Sequence, residues 1–182
     1  MKKVIIPLAP GFEEIEALTV VDILRRAGAE VTLSGTVPGV ITGRNGIHVT
    51  PDAALDAAIG NDYDMVVLPG GAIGTENLKK DGRVKELITR MNAQGRLVTA
   101  ICAAPAVLSA AGLIRDRTVT SHPGVRTELK AAAISDERVV TDGNIITSQG
   151  PGTAMEFAFR LVEALYGQEK VKEVNQGVLA RL

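Results

Sequence analysis

The chain has 182 residues and a formal charge of −1, with its basic residues scattered singly or in pairs, so it offers no basic footprint for nucleic acid. One cysteine excludes an internal disulfide framework, and two histidines far apart in sequence give no spacing for a structural zinc site. No apolar run approaches the roughly 20 residues that span a bilayer, so the expectation is a soluble, cytoplasmic protein with a single domain over residues 1–182 and no membrane partner.

Met1-Lys2-Lys3 followed by Val4 to Ala9 has the outline of a secretion signal. The apolar stretch is short, contains Pro7 and runs into Glu13, Glu14 and Glu16, so it reads instead as a buried strand over 3–8. A helix over 13–27 follows, opened by those three acids, whose charge suits the exposed amides of a helix start. Two of the three are expected to do only that. Glu16 lies further into the helix and can turn toward the sheet edge.

A strand over 30–34 leads into a turn-rich passage carrying Arg44-Asn45-Gly46. There His48 alternates with Ile47 and Val49 and reads as the outward face of a strand, without a functional role. The strand over 63–68 is continuously apolar in its second half, as in a central strand buried on both faces. It ends in Pro69-Gly70-Gly71; a helix over 82–94, a strand over 96–101, a helix from Ala103 and a strand over 117–120 come next. Residues 138–147 read as a hairpin in which Asp142-Gly143 supplies a type I′ turn, and a last helix covers 154–166. This alternation predicts an α/β three-layer sandwich, a mostly parallel sheet with helices on both faces.

Ligands of such sheets collect beyond the carboxyl ends of the strands. Four loops expected at that edge carry unusual chemistry: Pro10 to Glu16, Pro69 to Ala72, Ile101-Cys102-Ala103 and Ser121-His122-Pro123-Gly124. Cys102 sits where an apolar strand turns abruptly into a helix, flanked by Ala100, Ala103 and Ala104, with Pro105 suited to the first helical turn. Amide dipoles aimed at its sulfur would favour thiolate and lower its pKa. Gly70-Gly71 fits a turn needing positive φ; beside a nucleophile its amides, with that of Ala103, could equally form an oxyanion hole. A Glu16 carboxyl beside a thiolate would hold its proton to avoid like-charge repulsion. His122 precedes Pro123 and is expected in extended geometry at a strand end, where it is either merely exposed or part of the site.

Five ordered motifs resemble the ThiJ/PfpI superfamily, and within it the parkinsonism-associated deglycase (DJ-one) subfamily with its YajL-like relatives. They are Pro10-Gly11 through Glu16, Leu68 to Gly71, Ala100 to Pro105, Thr120 to Pro123 and Thr147 to Thr153. The resemblance implies a flavodoxin-like fold and a homodimer, with an oxidation-prone Cys102, a protonated partner at Glu16 and a nearby His122. It further implies the amides of Gly71 and Ala103 as oxyanion donors, a substrate-contacting role for Gly70, and Arg44 as an arginine reaching the site across the dimer interface. Thr50 stands where some relatives carry a second cysteine, so intersubunit disulfide chemistry is expected to be absent. Ala103 stands where the PfpI-protease branch has histidine, which argues against a Cys-His peptidase.

The activity implied is cofactor-free and metal-free, a glutathione-independent glyoxalase or deglycase. Its partners would be small 2-oxoaldehydes of the methylglyoxal class, or their adducts on protein and nucleotides. The alternative is a non-enzymatic redox sensor or chaperone built on an oxidisable Cys102.

Overall fold

The computed structural model describes residues 1–181. The first half of the chain runs β1 (Lys3–Leu8), α1 (Glu14–Arg26), β2 (Glu30–Gly35), β3 (Ile41–Thr42), β4 (His48–Val49), β5 (Ala53–Ala54), α2 (Leu55–Ala58) and β6 (Met65–Leu68). The second half runs α3 (Ala72–Lys80), α4 (Gly82–Ala93), β7 (Leu97–Ile101), α5 (Pro105–Ala110), β8 (Thr118–Val119), β9 (Ala133–Ile134), β10 (Val139–Asp142), β11 (Ile145–Ser148), α6 (Ala154–Tyr166) and α7 (Gln168–Val178).

Seven strands form one sheet in the order β10-β11-β7-β6-β1-β2-β5, parallel throughout except for β10 against β11. The two-residue period of a strand divides the core into two layers. Val4, Ile6 and Leu8 of β1 face one layer with Met65 and Val67 of β6, whereas Ile5, Val66 and Leu68 face the other. The first layer is closed by apolar positions of α1, α6 and α7, the second by those of α2, α4 and α5. Continuous apolar runs in the middle strands are therefore required, because both faces of those strands are dry.

The strand order reverses direction at β1, the topological switch point. β1 pairs with β6 only through Val4 and Ile5, and Pro7 has no N–H with which to continue a ladder. Beyond that ladder the loops that follow β1 and β6 meet again at the carboxyl edge, where the Glu13 N–H donates to the Gly70 carbonyl at 3.0 Å.

The hairpin is present but its turn differs from expectation. Asp142 pairs with Ile145, so the loop residues are Gly143 and Asn144, and of these only Gly143 has positive φ, at 60°. That is the glycine-first pattern of a type II′ turn. Asp142 instead accepts from the Thr118 N–H at 2.8 Å and from Arg117 at 3.2 Å, tying β8 to the hairpin. Helices α3 and α7 have no counterpart in the sequence reading.

Candidate active site

Cys102 occupies the step between β7 and α5 with φ of 65°, a left-handed conformation that among the described non-glycine residues only Leu179 shares. Such a conformation costs a residue with a Cβ on the order of 1–2 kcal/mol and persists only where the surroundings fix it. Here the Cys102 N–H donates to the Ser148 carbonyl at 2.9 Å, and the Cys102 carbonyl accepts from the His122 N–H at 2.8 Å. The first clamp is the end of β11 and the second lies in the loop that follows β8.

Glu16 is fully buried in the first turns of α1. Its Oε2 accepts the Gly70 N–H at 2.8 Å, while Oε1 is buried and has no hydrogen-bond partner among the described residues. Burial pushes the carboxyl up to about 7, against the lowering effects of Cys102, the Gly70 amide and the positive charge of Arg44; Glu13 adds to the rise. The backbone N–H groups of Gly71 and Ala103 both act on the Cys102 sulfur and favour its thiolate.

The thiol itself is not lowered, contrary to expectation. Burial, then the charge of Glu16 and its hydrogen bond, push Cys102 up to about 12. The dipole argument fails because α5 is only six residues long and two amides do not offset a desolvated sulfur beside a carboxylate. Burial is the largest cause of both rises, and the Glu16 charge adds to that of the thiol. The pair gives up its first proton near neutrality and holds the second to strongly alkaline pH.

The remaining expected residues divide. Gly70 and Gly71 lie in the site: an ideal Cβ on Gly70 would come within 2.6 Å of Glu16 Oε2 and 2.7 Å of Cys102 Cβ. His122 is brought to the elbow by its backbone; its exposed ring accepts the Gly124 N–H at Nδ1, 3.1 Å, which leaves Nε2 as the protonated nitrogen. Arg44 is exposed on the turn after β3; its N–H donates to the Phe12 carbonyl at 2.8 Å, and its positive charge lowers the Glu16 carboxyl. His48 is exposed, with Nδ1 3.0 Å from Thr42 Oγ1.

The three acids of α1 have three different tasks. Glu13 caps the helix by accepting the Glu16 N–H at 3.0 Å. Glu14, expected only to complement the helix dipole, is buried and accepts the Asn45 N–H at 2.7 Å, Asn45 Nδ2 at 2.9 Å and the Ile47 N–H at 3.4 Å. Nothing in local sequence pairs Glu14 with a turn some thirty residues away. A cavity of about 320 Å³ adjoins the elbow, with Ala72, Thr75, Ala103, Ala106 and Val125 among its walls.

Residues 2–164 match the DJ-1/PfpI family. Over 181 residues the chain is 40% identical to protein dj-1beta of Drosophila melanogaster, covering 98% of this chain and 97% of that one. The crystal structure of that fly protein superposes with a TM-score of 0.96, at 39% identity over 100% of this chain and 99% of the other. A Caenorhabditis elegans protein named glutathione-independent glyoxalase DJR-1.2 is 36% identical over 176 residues, 95% of this chain and 94% of that protein. Oxidized Toxoplasma gondii DJ-1 superposes with a TM-score of 0.97, at 34% identity over the whole of both chains. Agreement of this extent, in sequence and in a flavodoxin-like fold, places the chain in the DJ-1/PfpI family.

Proposed function

We propose that this protein is a cysteine-dependent, glutathione-independent glyoxalase that converts methylglyoxal-class 2-oxoaldehydes, free or as adducts on protein or nucleotide, to hydroxyacids. The observation that carries the reading is the convergence on one sulfur of two backbone N–H groups and a carboxyl that titrates near 7. A relative named for that activity supports it.

Loss of one proton from the Glu16–Cys102 pair leaves two forms in equilibrium, carboxylate with thiol and carboxylic acid with thiolate. In the second form Sγ attacks the aldehyde carbon, and the carbonyl electron pair takes the Glu16 proton to give a hemithioacetal. The Gly71 and Ala103 amides face the oxygen on which charge develops. Glu16, now a carboxylate, removes the hydrogen from that carbon as a proton to give an enediol and returns it to the adjacent carbon, while the hydroxyl proton passes from the first oxygen to the second. The aldehyde carbon is thereby oxidised to a thioester as its neighbour is reduced to an alcohol. Water releases the hydroxyacid and restores the thiol. His122, with its Nε2–H and a surface position, supports as a hydrogen-bond donor rather than as a base. Gly70 holds the Glu16 carboxyl in place, and the cavity beside Ala103 receives the rest of the substrate.

The experiment is steady-state turnover of methylglyoxal, with lactate identified by an independent enzyme assay. Wild type should exceed free cysteine at equal concentration, and Cys102→Ser should abolish turnover with the fold intact. Equal rates for wild type and free cysteine would refute the reading.

A second reading draws on Glu16 Oε1, which has no hydrogen-bond partner among the described residues. An oxygen added to Cys102 would supply one, so oxidation to a sulfinate held by Glu16 and the two amides fits a redox sensor or chaperone. Retained peroxide response with absent turnover would favour it.

A further inference from the structure

The cavity beside the elbow has a neighbour that the scheme above does not use. The two share Ala106 and Glu128 as walls, and the second, of about 170 Å³, is lined also by Lys79 of α3, Ser109 of α5, Arg115 from the loop after α5, and Lys130. They follow one another along one face of the helix, since Ala103, Ala106 and Ser109 stand at intervals of three residues. From Cys102 to Ser109 the path along that direction is roughly 10 Å.

Charge in the second cavity is unbalanced. Lys79 is engaged by Glu76 at 2.5 Å and by Glu128, the one carboxylate of this wall, at 3.8 Å. The side chains of Arg115 and Lys130 have no ion pair and no hydrogen bond among the described residues. Because neither donates to the last carbonyls of α5, capping a helix end does not account for them. Ser109 is 8% exposed; its Oγ accepts the Lys130 N–H at 2.9 Å, and its own proton goes to no acceptor among the described residues. Two unpaired cations and one unspent O–H donor therefore line the same space.

We propose that this cavity is an anion subsite, which takes the phosphate monoester of a substrate whose reacting carbon lies at Cys102. A monoester dianion matches the two unpaired charges. The Arg115 fork suits two of its oxygens, and Lys130 and the Ser109 hydroxyl supply further donors. A three-carbon 2-oxoaldehyde does not span roughly 10 Å, whereas a nucleoside monophosphate carrying the aldehyde as an adduct on its base does. The inference rests on the glyoxalase reading and narrows its substrates to adducts on phosphorylated carriers.

The first test uses inorganic phosphate as the probe, in a chemical-shift titration of isotope-labelled protein with ionic strength held constant by chloride. The Ser109 and Lys130 amides should shift saturably, and Arg115→Gln/Lys130→Gln should weaken the affinity on the order of tenfold. Lys85→Gln/Lys172→Gln removes the same charge from exposed positions elsewhere and should leave both the titration and turnover unchanged. The second test compares kcat/KM for the methylglyoxal adducts of guanosine monophosphate and of guanosine. Wild type should prefer the phosphorylated adduct on the order of tenfold, and the Arg115/Lys130 double variant should lose that preference. No saturable shift at Ser109 and Lys130, a response that chloride alone reproduces, shifts confined to the Gly71 and Ala103 amides, or turnover of both adducts without preference would each overturn the proposal. Failure of the glyoxalase reading would look different, with neither adduct turned over and the phosphate titration as expected.

Discussion

Burial of Glu16 ties the chemistry to the pH dependence of stability. Its carboxyl lies at about 7 in the folded chain against 4.5 for an unperturbed group, so the folded state binds the proton more tightly than the unfolded one. The associated stability is fully present below pH 4.5 and is lost as pH rises through 7, a change on the order of 3 kcal/mol. Glu16→Gln mimics the protonated form. Urea titrations should therefore find the variant more stable than wild type at pH 8 and close to it at pH 4.5, while its kcat falls by roughly 10²–10⁴. A variant that gains no stability at pH 8 would show that the carboxylate is not penalised by its surroundings. For oxidation, mild peroxide should place two oxygens on Cys102 before Met155, which is 38% exposed, is modified; Met91 is buried and is no fair comparison. Mass spectrometry of tryptic peptides reads both.

At the scale of elements, the loops after β1 and β6 are pressed together too tightly for side chains. Gly71 opens α3 at φ of 90°, and a Cβ there would come within 2.4 Å of the Gly11 carbonyl oxygen and 2.8 Å of the Glu13 nitrogen. Those atoms are backbone and cannot step aside. Gly71→Ala should destabilise by on the order of 2–3 kcal/mol in urea and slow Cys102 alkylation, because the amide that faces the sulfur must move. The elbow was legible in sequence because it is local: one cysteine, small neighbours and Pro105 within a few residues. α3 was not, since the buried positions Gly74, Thr75 and Leu78 include only one apolar side chain of any size; Gly74 lies against the Phe12 backbone, where a Cβ would not fit. α7 was missed for a similar reason, its inward residues being only Val171 and Val174. The clamp of Glu14 and the rise of the thiol depend on residues distant in sequence, which no local pattern encodes.

At the scale of the molecule, the apolar positions of α1 are only partly absorbed by the core. Of Ile15, Leu18, Val21 and Leu24, the last two are buried in the core. Ile15 stays 54% exposed, and Ile47 at 50% and Ile73 at 66% are exposed on segments fastened to residues 11–14. A homodimer that covers this region is the expected state. Light scattering at micromolar concentration should give twice the chain mass, and Ile73→Lys should shift it toward the monomer. A wild-type monomer under those conditions would remove the dimer from this account.

The solitary cysteine, 6% exposed, has a practical consequence for anyone handling the protein. With no other sulfhydryl in the chain, the free thiol count of a fully denatured sample equals the number of molecules whose reactive sulfur is still reduced. Each preparation thus carries its own record of past oxidant exposure, readable with a colorimetric reagent. Activities normalised to that count rather than to protein mass should agree between batches that otherwise differ.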